Sequence, residues 1–257
     1  MSRILTWSIG LLLAGISCSA LAEPARQSGQ AVPAGPNGAP AVSRSTAAAL
    51  AKAVAPMDIL IPAELEQARK AILALPTLDE DAKQLEQEFP GIYAAIWAAS
   101  EAEMKRQTEA GYPGFLAKLE QLYLARLTER EAQGVLTFFQ SPTGQKLLRN
   151  VYGSFDAAPL VAEMAKSGSS TIDARQMQAA TDAVKAKVVR QMGPEDEDSL
   201  LALSKAMELK KFREISAETQ KISLEWVNRA DPEGEERLGK IMEQATERYI
   251  KAHSTQQ

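Results

Sequence analysis

Apolar residues recur every three or four positions from Ser45 almost to the C-terminus, and this period constrains the fold more than any other feature of the chain. The same stretch is rich in Ala, Leu, Glu, Lys and Gln, which are strong helix formers. A half-buried strand would require apolar and polar residues to alternate, and no segment does so convincingly. The sequence therefore predicts an all-α protein, a multi-helix bundle with no sheet.

Capping residues, prolines and glycines in the sequence predict where the helices start and stop. Thr128 to Glu131 fits a capping box, in which a hydroxyl and a carboxylate each satisfy a free backbone N–H group. Pro62 suits the first turn of a helix that ends near Pro76, and Pro159 ends or kinks the helix before it. Gly111, Pro113 and Gly114 predict a break between two helices. Other predicted helix starts are Asp79–Asp81, Pro90, Ser141-Pro142, Glu195–Asp198 and Asp231-Pro232.

The N-terminus has the pattern of a Sec-type export signal. Arg3 supplies a positive charge, Ile9 to Ile16 form a short apolar run, and Ala20-Leu21-Ala22 offers small residues for cleavage after Ala22. A lipoprotein would usually have Leu three positions before Cys18, but Gly15 stands there, so lipidation is the less favoured alternative. The sequence therefore predicts a periplasmic or secreted protein.

The predicted organisation has four parts. The signal peptide at 1–22 is followed by a flexible linker at 23–44, which holds four Pro and three Gly in 22 residues. A helical domain spans 45–252, with possible subdomains 45–166 and 171–252 on either side of the loop Ser167–Ser170, and 253–257 form a polar tail. No later stretch approaches 18 apolar residues, so we expect no integral membrane contact after signal cleavage.

Composition argues against several chemistries. Cys18 is the only cysteine and lies in the predicted signal, and the only histidine, His253, lies in the polar tail. Thiol nucleophiles, disulfides, Ser-His-Asp triads and zinc, copper or haem sites all need cysteine or a positioned imidazole. The net charge of −4 is also wrong for nucleic acid, which binds a basic face. We predict no catalytic residue, no metal site and no cofactor, and we lean against an enzyme.

Two segments of the chain resemble each other at an offset of 65 positions. Leu127 to Glu131 fall on Met192 to Asp196, and Lys146-Leu147 fall on Lys211-Phe212. Each copy has an acidic helix start, a short apolar helix and a longer helix entered near a lysine. The second copy lacks the Ser-Pro-Thr-Gly turn, so its two helices are expected to run together. Repeated units persist when their complementary faces bury each other. The sequence leaves open whether they form one core or two.

The stretch Leu127 to Leu148 resembles the signature of the domain of unknown function 2059 family. That signature combines an acidic helix start, an aromatic pair, Ser-Pro-x-Gly and a lysine, and all of these elements stand here. The resemblance is clear from about Gly111 to Phe155 and weaker, through the repeat, to about Arg229. It implies an exported, periplasmic, all-helical bacterial protein. It implies no activity, because the family has no established one.

The turn between the two helices of the first copy is a candidate interaction surface. It comprises Ser141, Pro142, Thr143, Gly144 and Lys146, an unusual density of turn residues next to aromatic side chains. Thr143 and Lys146 also have the spacing of a Ser-x-x-Lys hydrolase motif, but no supporting motif accompanies them. A capped helix start with an exposed lysine explains the same residues more simply. The aromatic residues Phe138, Phe139, Tyr152 and Phe155 are expected in the core.

Three functions remain after these exclusions. The first is a non-enzymatic module that binds an unknown protein or peptide, or its own copy, through a helical face. The second is an envelope glycan hydrolase, which needs only one or two carboxylates and predicts a desolvated Glu or Asp. The acidic runs Asp79–Asp81 and Glu195–Asp198 fit helix starts better than catalysis. The third is a carrier of an apolar ligand in a cavity between helices.

Overall fold

The computed structural model describes residues 41–167 and 171–254. The predicted signal peptide, Cys18, most of the predicted linker and residues 168–170 of the predicted loop lie outside this part. The prediction of an all-α fold is confirmed, because the described residues form helices and a single isolated β-bridge between Ala41 and Thr128, with no strand. The helices are α1 Arg44–Val54, α2 Met57–Leu78, α3 Glu80–Glu88, α4 Ile92–Arg126, α5 Glu129–Gln140, α6 Pro142–Ser154, α7 Ala158–Ser167, α8 Ala174–Gln191, α9 Glu197–Ala206, α10 Leu209–Val227 and α11 Pro232–Ser254.

The predicted capping signals are in place at several helix starts. The Thr128 hydroxyl accepts from the Glu131 N–H, and the Glu131 carboxylate accepts from the Thr128 N–H, as a capping box requires. Ser141 caps α6 and Pro142 takes its first position. Asp79 caps α3, and Asp231 accepts from the N–H of Gly234 in α11. Local chemistry in the sequence therefore fixed these boundaries.

The predicted break at Gly111, Pro113 and Gly114 is wrong, because α4 runs unbroken through all three residues. A proline inside a helix removes one hydrogen bond and costs about 3 kcal/mol. Tertiary packing on both sides of Pro113 offsets that cost. The Tyr112 hydroxyl donates to the Ala55 carbonyl at 2.5 Å, and the Phe115 ring packs on Trp226 with centroids 5.2 Å apart. These tertiary contacts outweigh the local tendency of the sequence to break the helix.

The expectation that the helices of the second copy run together is also wrong. Helix α9 ends at Ala206 and α10 begins at Leu209, with Met207 and Glu208 in extended conformation between them. Met207 is buried in the hydrophobic core. The chain turns here so that α9 can pack on α5 while α10 packs on α4. This turn contains no proline or glycine. Burial of Met207 in the core stabilises it instead.

Smaller differences concern prolines and termini. Helix α2 starts at Met57, so Pro62 lies beyond its first turn, and α6 ends at Ser154, ahead of Pro159. At the end of the predicted linker, Val42 is buried beside α1. His253 belongs to α11, where its ring stacks on Tyr249 with centroids 4.0 Å apart.

The described residues bury their apolar side chains in two clusters. The larger cluster contains side chains from both copies of the repeat, including Leu136, Leu147, Val188, Leu203 and Ile215. The two copies therefore share one core. The smaller cluster joins the second half of α2 and the first half of α4 to α3 and α11. Helices α2 and α4 contribute to both clusters and connect them.

The helical stretch Arg44–Leu78 is long and apolar enough to cross a membrane by length and composition alone. In this structure 44% of its apolar window is buried inside the molecule. Leu50, Leu60 and Ile61 lie in the larger cluster, as in a core helix of a soluble protein, which meets the same criterion.

Candidate functional site: the junction of the two helical units and the outer face of the second

The five residues of the predicted interaction surface occupy the first turns of α6. The Ser141 hydroxyl accepts from the Gly144 N–H at 3.1 Å, so its role is to cap the helix. Pro142 is exposed, whereas Thr143 and Gly144 are buried. Lys146 is partly exposed and forms ion pairs within the molecule. Most of these groups thus hold the fold, and their use as an interaction surface stays a prediction.

Gly144 is required by the close approach of α6 to the end of α5. A Cβ atom at this position would overlap the backbone carbonyl of Phe138 and lie 2.7 Å from the Cα of Phe139. Only glycine avoids this overlap. Leu209 is the residue 65 positions later, so the second copy of the repeat cannot make the same tight turn.

Lys146 links two helical units, the first formed by the second half of α4 with α5 and α6 and the second by α8 with α9 and α10. Its ammonium donates to Asp196 Oδ2 at 2.7 Å and to Glu195 Oε1 at 2.8 Å. The Lys146 hydrogen bond, followed by that from the Gly193 N–H, holds the pKa of Asp196 below its usual value although that residue is only 2% exposed. The same pairs raise the pKa of Lys146, chiefly through Asp196. A Ser-Lys hydrolase needs a neutral lysine as its base, and this ammonium is instead kept charged.

A second ion pair repeats the first with the units exchanged. Lys211 lies 65 positions after Lys146, and its ammonium donates to Glu131 Oε2 at 2.5 Å. Glu131 in turn lies 65 positions before Asp196. Burial raises the pKa of Glu131, but hydrogen bonds from Lys211 and Thr128 outweigh it and hold that pKa below its usual value.

The two acidic partners also cap equivalent helix starts. The Thr128 N–H donates to Glu131 Oε2 at 2.8 Å, and the Gly193 N–H donates to Asp196 Oδ2 at 3.0 Å. Each carboxylate therefore caps its own helix and binds the lysine of the other unit. This reciprocity is what a two-fold axis produces.

Helix packing follows the same symmetry. We call the second half of α4 with α5 and α6 the first unit, and α8 with α9 and α10 the second unit. Helix α4 packs on α10, and its counterpart α8 packs on α6, while α5 and its counterpart α9 pack on each other. In a two-fold interface each contact between element i and element j recurs between j and i. The two units therefore meet as an internal pseudo-dimer.

The outer face of α5 is covered by α1. The Ser43 N–H donates to Glu129 Oε2 at 2.7 Å, the Thr46 hydroxyl donates to Glu129 Oε1 at 2.6 Å, and the Gln133 amide donates to Thr46. Leu136 lies seven residues after Glu129, only about 20° away around the helix, so it lies on this covered face. Leu136 is accordingly buried, with 8% exposure.

The equivalent face of α9 is open to solvent. Its leucine, Leu201, stands 65 positions after Leu136 and is 52% exposed. Glu197 and Asp198, one turn earlier on α9, are also exposed. In the repeat, Glu197 and Asp198 are equivalent to Ala132 and Gln133 of the first unit. We call Glu197, Asp198 and Leu201 the α9 face. Pseudo-symmetry thus places a partly apolar, acidic surface where the first unit holds a helix.

A buried carboxylate, Glu64, lies where α2 meets α10. It is 3% exposed, and its Oε1 accepts from the indole N–H of Trp226 at 3.2 Å. The Arg229 guanidinium stacks on the Trp226 ring at 3.7 Å from its centroid, and burial lowers the pKa of Arg229. Burial, then the charge of Glu64, raises the pKa of the Tyr152 hydroxyl. Glu64 is desolvated as the hydrolase alternative requires, but it is too enclosed to touch a glycan in this conformation.

The predicted acidic runs serve helix starts in the structure. Asp79 caps α3, Glu80 pairs with Lys83 on the surface, and Asp196 caps the helix turn before α9. In the described ranges, no group of three or more His, Cys, Asp or Glu side chains is arranged to hold a metal ion.

Residues 115–163 match the model of a family described as an uncharacterized protein conserved in bacteria, DUF2059. This segment is similar to DUF2059. The predicted family resemblance is thereby confirmed. The DUF2059 match spans the second half of α4, α5, α6 and part of α7, and so contains the helices of the first unit. No curated protein and no solved structure matches the chain significantly.

Sequence reasoning missed Glu64 and the α9 face. Glu64 lies in a helix between Ala63 and Leu65 and belongs to no recognised motif. The α9 face had a usable signal, since the offset of 65 positions pairs Leu201 with Leu136. The same offset pairs Lys146 with Lys211 and Glu131 with Asp196, so either cross-unit ion pair, once seen, predicts the other.

Proposed function

We propose that this protein is an exported, periplasmic, non-enzymatic module that binds another protein through the α9 face. The export part of this proposal is supported by the signal-like N-terminus, with its apolar run Ile9 to Ile16 and the small residues before Glu23. Bacterial DUF2059 sequences are uncharacterized, so the family supplies no activity of its own.

The observation that carries the binding role is the difference in exposure between two equivalent leucines. Leu136 is covered by a helix of its own chain, whereas Leu201 is more than half exposed. A single exposed leucine is common on protein surfaces, so the binding role rests on the face to which Leu201 belongs. Here the pseudo-symmetry defines that face independently of the exposure.

The polar groups of the DUF2059 signature support a structural role for that segment. Thr128 and Glu131 form the capping box, Ser141 caps α6, and Lys146 binds the second unit. These groups hold the two units together, which leaves the outer face of the second unit for partners.

The first experiment is fractionation of cells that make the full chain. We expect the protein in the osmotic-shock fraction, shortened by the 22 residues before Glu23, as measured by intact mass. Full-length protein retained in the cytoplasm would contradict export.

The second experiment places a photo-crosslinking amino acid at position 201 in living cells. The control position is Leu73 on α2, an exposed leucine outside both units, with 38% exposure. We expect a discrete protein adduct from position 201 that is absent from position 73. Equal adducts from both positions, or none from position 201, would contradict a specific binding face.

A further inference from the structure

The occupant of the α9 face can be inferred from the helix that covers the equivalent face of the first unit. Helix α1 has the sequence RSTAAALAKAV and buries Ala47, Leu50, Ala51 and Val54. Its small side chains allow close approach to α4 and α5, on which it packs. The surface thus accepts a short helix whose facing side carries alanine and leucine.

A carboxylate anchors α1 at its N-terminal end. Glu129 accepts hydrogen bonds from the Thr46 hydroxyl and the Ser43 N–H. These bonds, of which the one from Thr46 has the larger effect, lower the pKa of Glu129 to about 2. The equivalent position in the second unit is Pro194. The second unit therefore lacks this anchor and cannot take α1 with the same polar contacts.

The α9 face instead carries two carboxylates near its leucine. Glu197 precedes Leu201 by four positions and Asp198 precedes it by three, so all three side chains share one side of the helix. Neither carboxylate takes part in an ion pair within residues 41–167 and 171–254. Residues of the first unit at these positions, Ala132 and Gln133, are uncharged. Lys205, which is exposed, follows Leu201 by four positions on the same side of α9, so this side carries a net charge of −1 beside the retained leucine.

We propose that the α9 face binds an amphipathic helix of a partner protein, with an alanine-leucine stripe like that of α1 and with lysine or arginine beside it. The apolar stripe packs on Leu201, and the basic side chains pair with Glu197 and Asp198. Charge complementarity of this kind sets specificity and association rate more than affinity. This inference rests on the proposed binding function and names the chemistry of the partner.

The test uses a probe built from α1. The peptide covers residues 42–54, with Ala49→Lys and Ala53→Lys at its half-buried rim and a covalent link between the exposed positions 45 and 52. The link holds the helix, since a helix this short is marginal in water. A matched peptide carries Ala49→Glu and Ala53→Glu. Fluorescence anisotropy measures the binding of each labelled peptide to the full mature protein.

We expect the basic peptide to bind at least about tenfold more tightly than the acidic one, with affinity falling as salt rises. Leu201→Asp weakens the basic peptide by at least about tenfold, whereas the control Leu73→Asp has no effect. A Glu197→Lys, Asp198→Lys double variant reverses the preference between the two peptides. All these positions are exposed, and circular dichroism checks that each variant folds.

Two results would overturn the inference. One is equal binding of the two peptides, and the other is binding that persists in Leu201→Asp. If neither peptide binds while position 201 still gives its adduct in cells, the partner chemistry is wrong but the proposed function stands. If peptide and adduct both fail, both proposals fall. An adduct with the mass of two copies of this chain would overturn the partner named here in favour of self-association.

Discussion

Lys146 and Lys211 form equivalent ion pairs from opposite units. Each sits in the first turns of a helix and reaches a carboxylate that caps a helix of the other unit. A carboxylate bound in this way gains a charge-assisted hydrogen bond while satisfying a backbone N–H at a helix start. The helix dipole favours the negative charge at the same place. Three effects therefore converge on Glu131 and on Asp196.

The Lys211–Glu131 pair is expected to contribute measurable coupling. Lys211→Met and Glu131→Gln, alone and together, form a double-mutant cycle read by urea unfolding. Because both side chains are partly shielded from water, we expect a coupling free energy of about 1 kcal/mol, above the median for exposed pairs. The exposed Lys240–Glu236 pair on α11 is the control, and its coupling should be smaller. Equal coupling in the two cycles would contradict a structural role for the cross-unit pair.

These pairs also predict how stability depends on pH. The pKa values of Glu131 and Asp196 are lowered in the folded protein from ordinary values of 4.5 and 3.8. Their contribution is therefore complete above those ordinary values and is lost as pH falls through the lower folded values. The Glu131→Gln, Asp196→Asn double variant should lose less stability than the wild type on acidification below about pH 4.

At the scale of elements, α4 shows how packing overrides a local signal. Its sequence GYPG has the composition of a turn, yet the helix continues for 35 residues. Gly111 lies against Trp226 and Arg229, where an added Cβ would come within 2.7 Å of the indole ring. The glycine thus permits the approach of α10, and α10 in turn holds the helix on both sides of Pro113. Only the interior of the folded protein supplies these contacts.

Pro113→Ala is expected to stabilise the protein. Pro113 is exposed, so little packing is lost, while an alanine restores the missing helical N–H and relieves the ring's clash. We expect a gain of about 1–3 kcal/mol in the free energy of unfolding, measured with urea. Pro142→Ala is the control, because proline at the first position of α6 costs nothing there. A destabilised Pro113→Ala variant would mean that the segment is a turn after all.

On the scale of the whole molecule, two hydrophobic clusters are joined by continuous helices. Helix α4 places Trp97 and Met104 in the smaller cluster and Phe115 and Leu119 in the larger one. The internal pseudo-dimer forms most of the larger cluster. Neither unit can keep its core when the other leaves, since α5 and α9 bury each other. The described parts of the chain are therefore expected to behave as one cooperative body.

Unfolding should accordingly occur in one transition. In a Trp97→Phe variant without the signal peptide, Trp226 is the only tryptophan and reports on the larger cluster. Its fluorescence and the far-ultraviolet circular dichroism of all helices should give the same urea midpoint. A fluorescence midpoint clearly apart from the dichroism midpoint would mean that the two clusters unfold separately.

Sequence alone determined the helical class, most capped helix starts and the repeat, because capping and apolar periodicity act over a few neighbouring residues. It also predicted a candidate interaction surface at Ser141 to Gly144 and Lys146, where the structure shows helix capping, a close helix approach and a cross-unit ion pair. The continuity of α4, the turn at Met207 and the burial of Glu64 were decided only by tertiary structure. Each depends on residues more than a hundred positions apart or on which face a neighbouring helix covers. The exposure of Leu201 is the same kind of fact, since the repeat pairs it with Leu136 and only the position of α1 in the fold leaves one leucine buried and the other exposed.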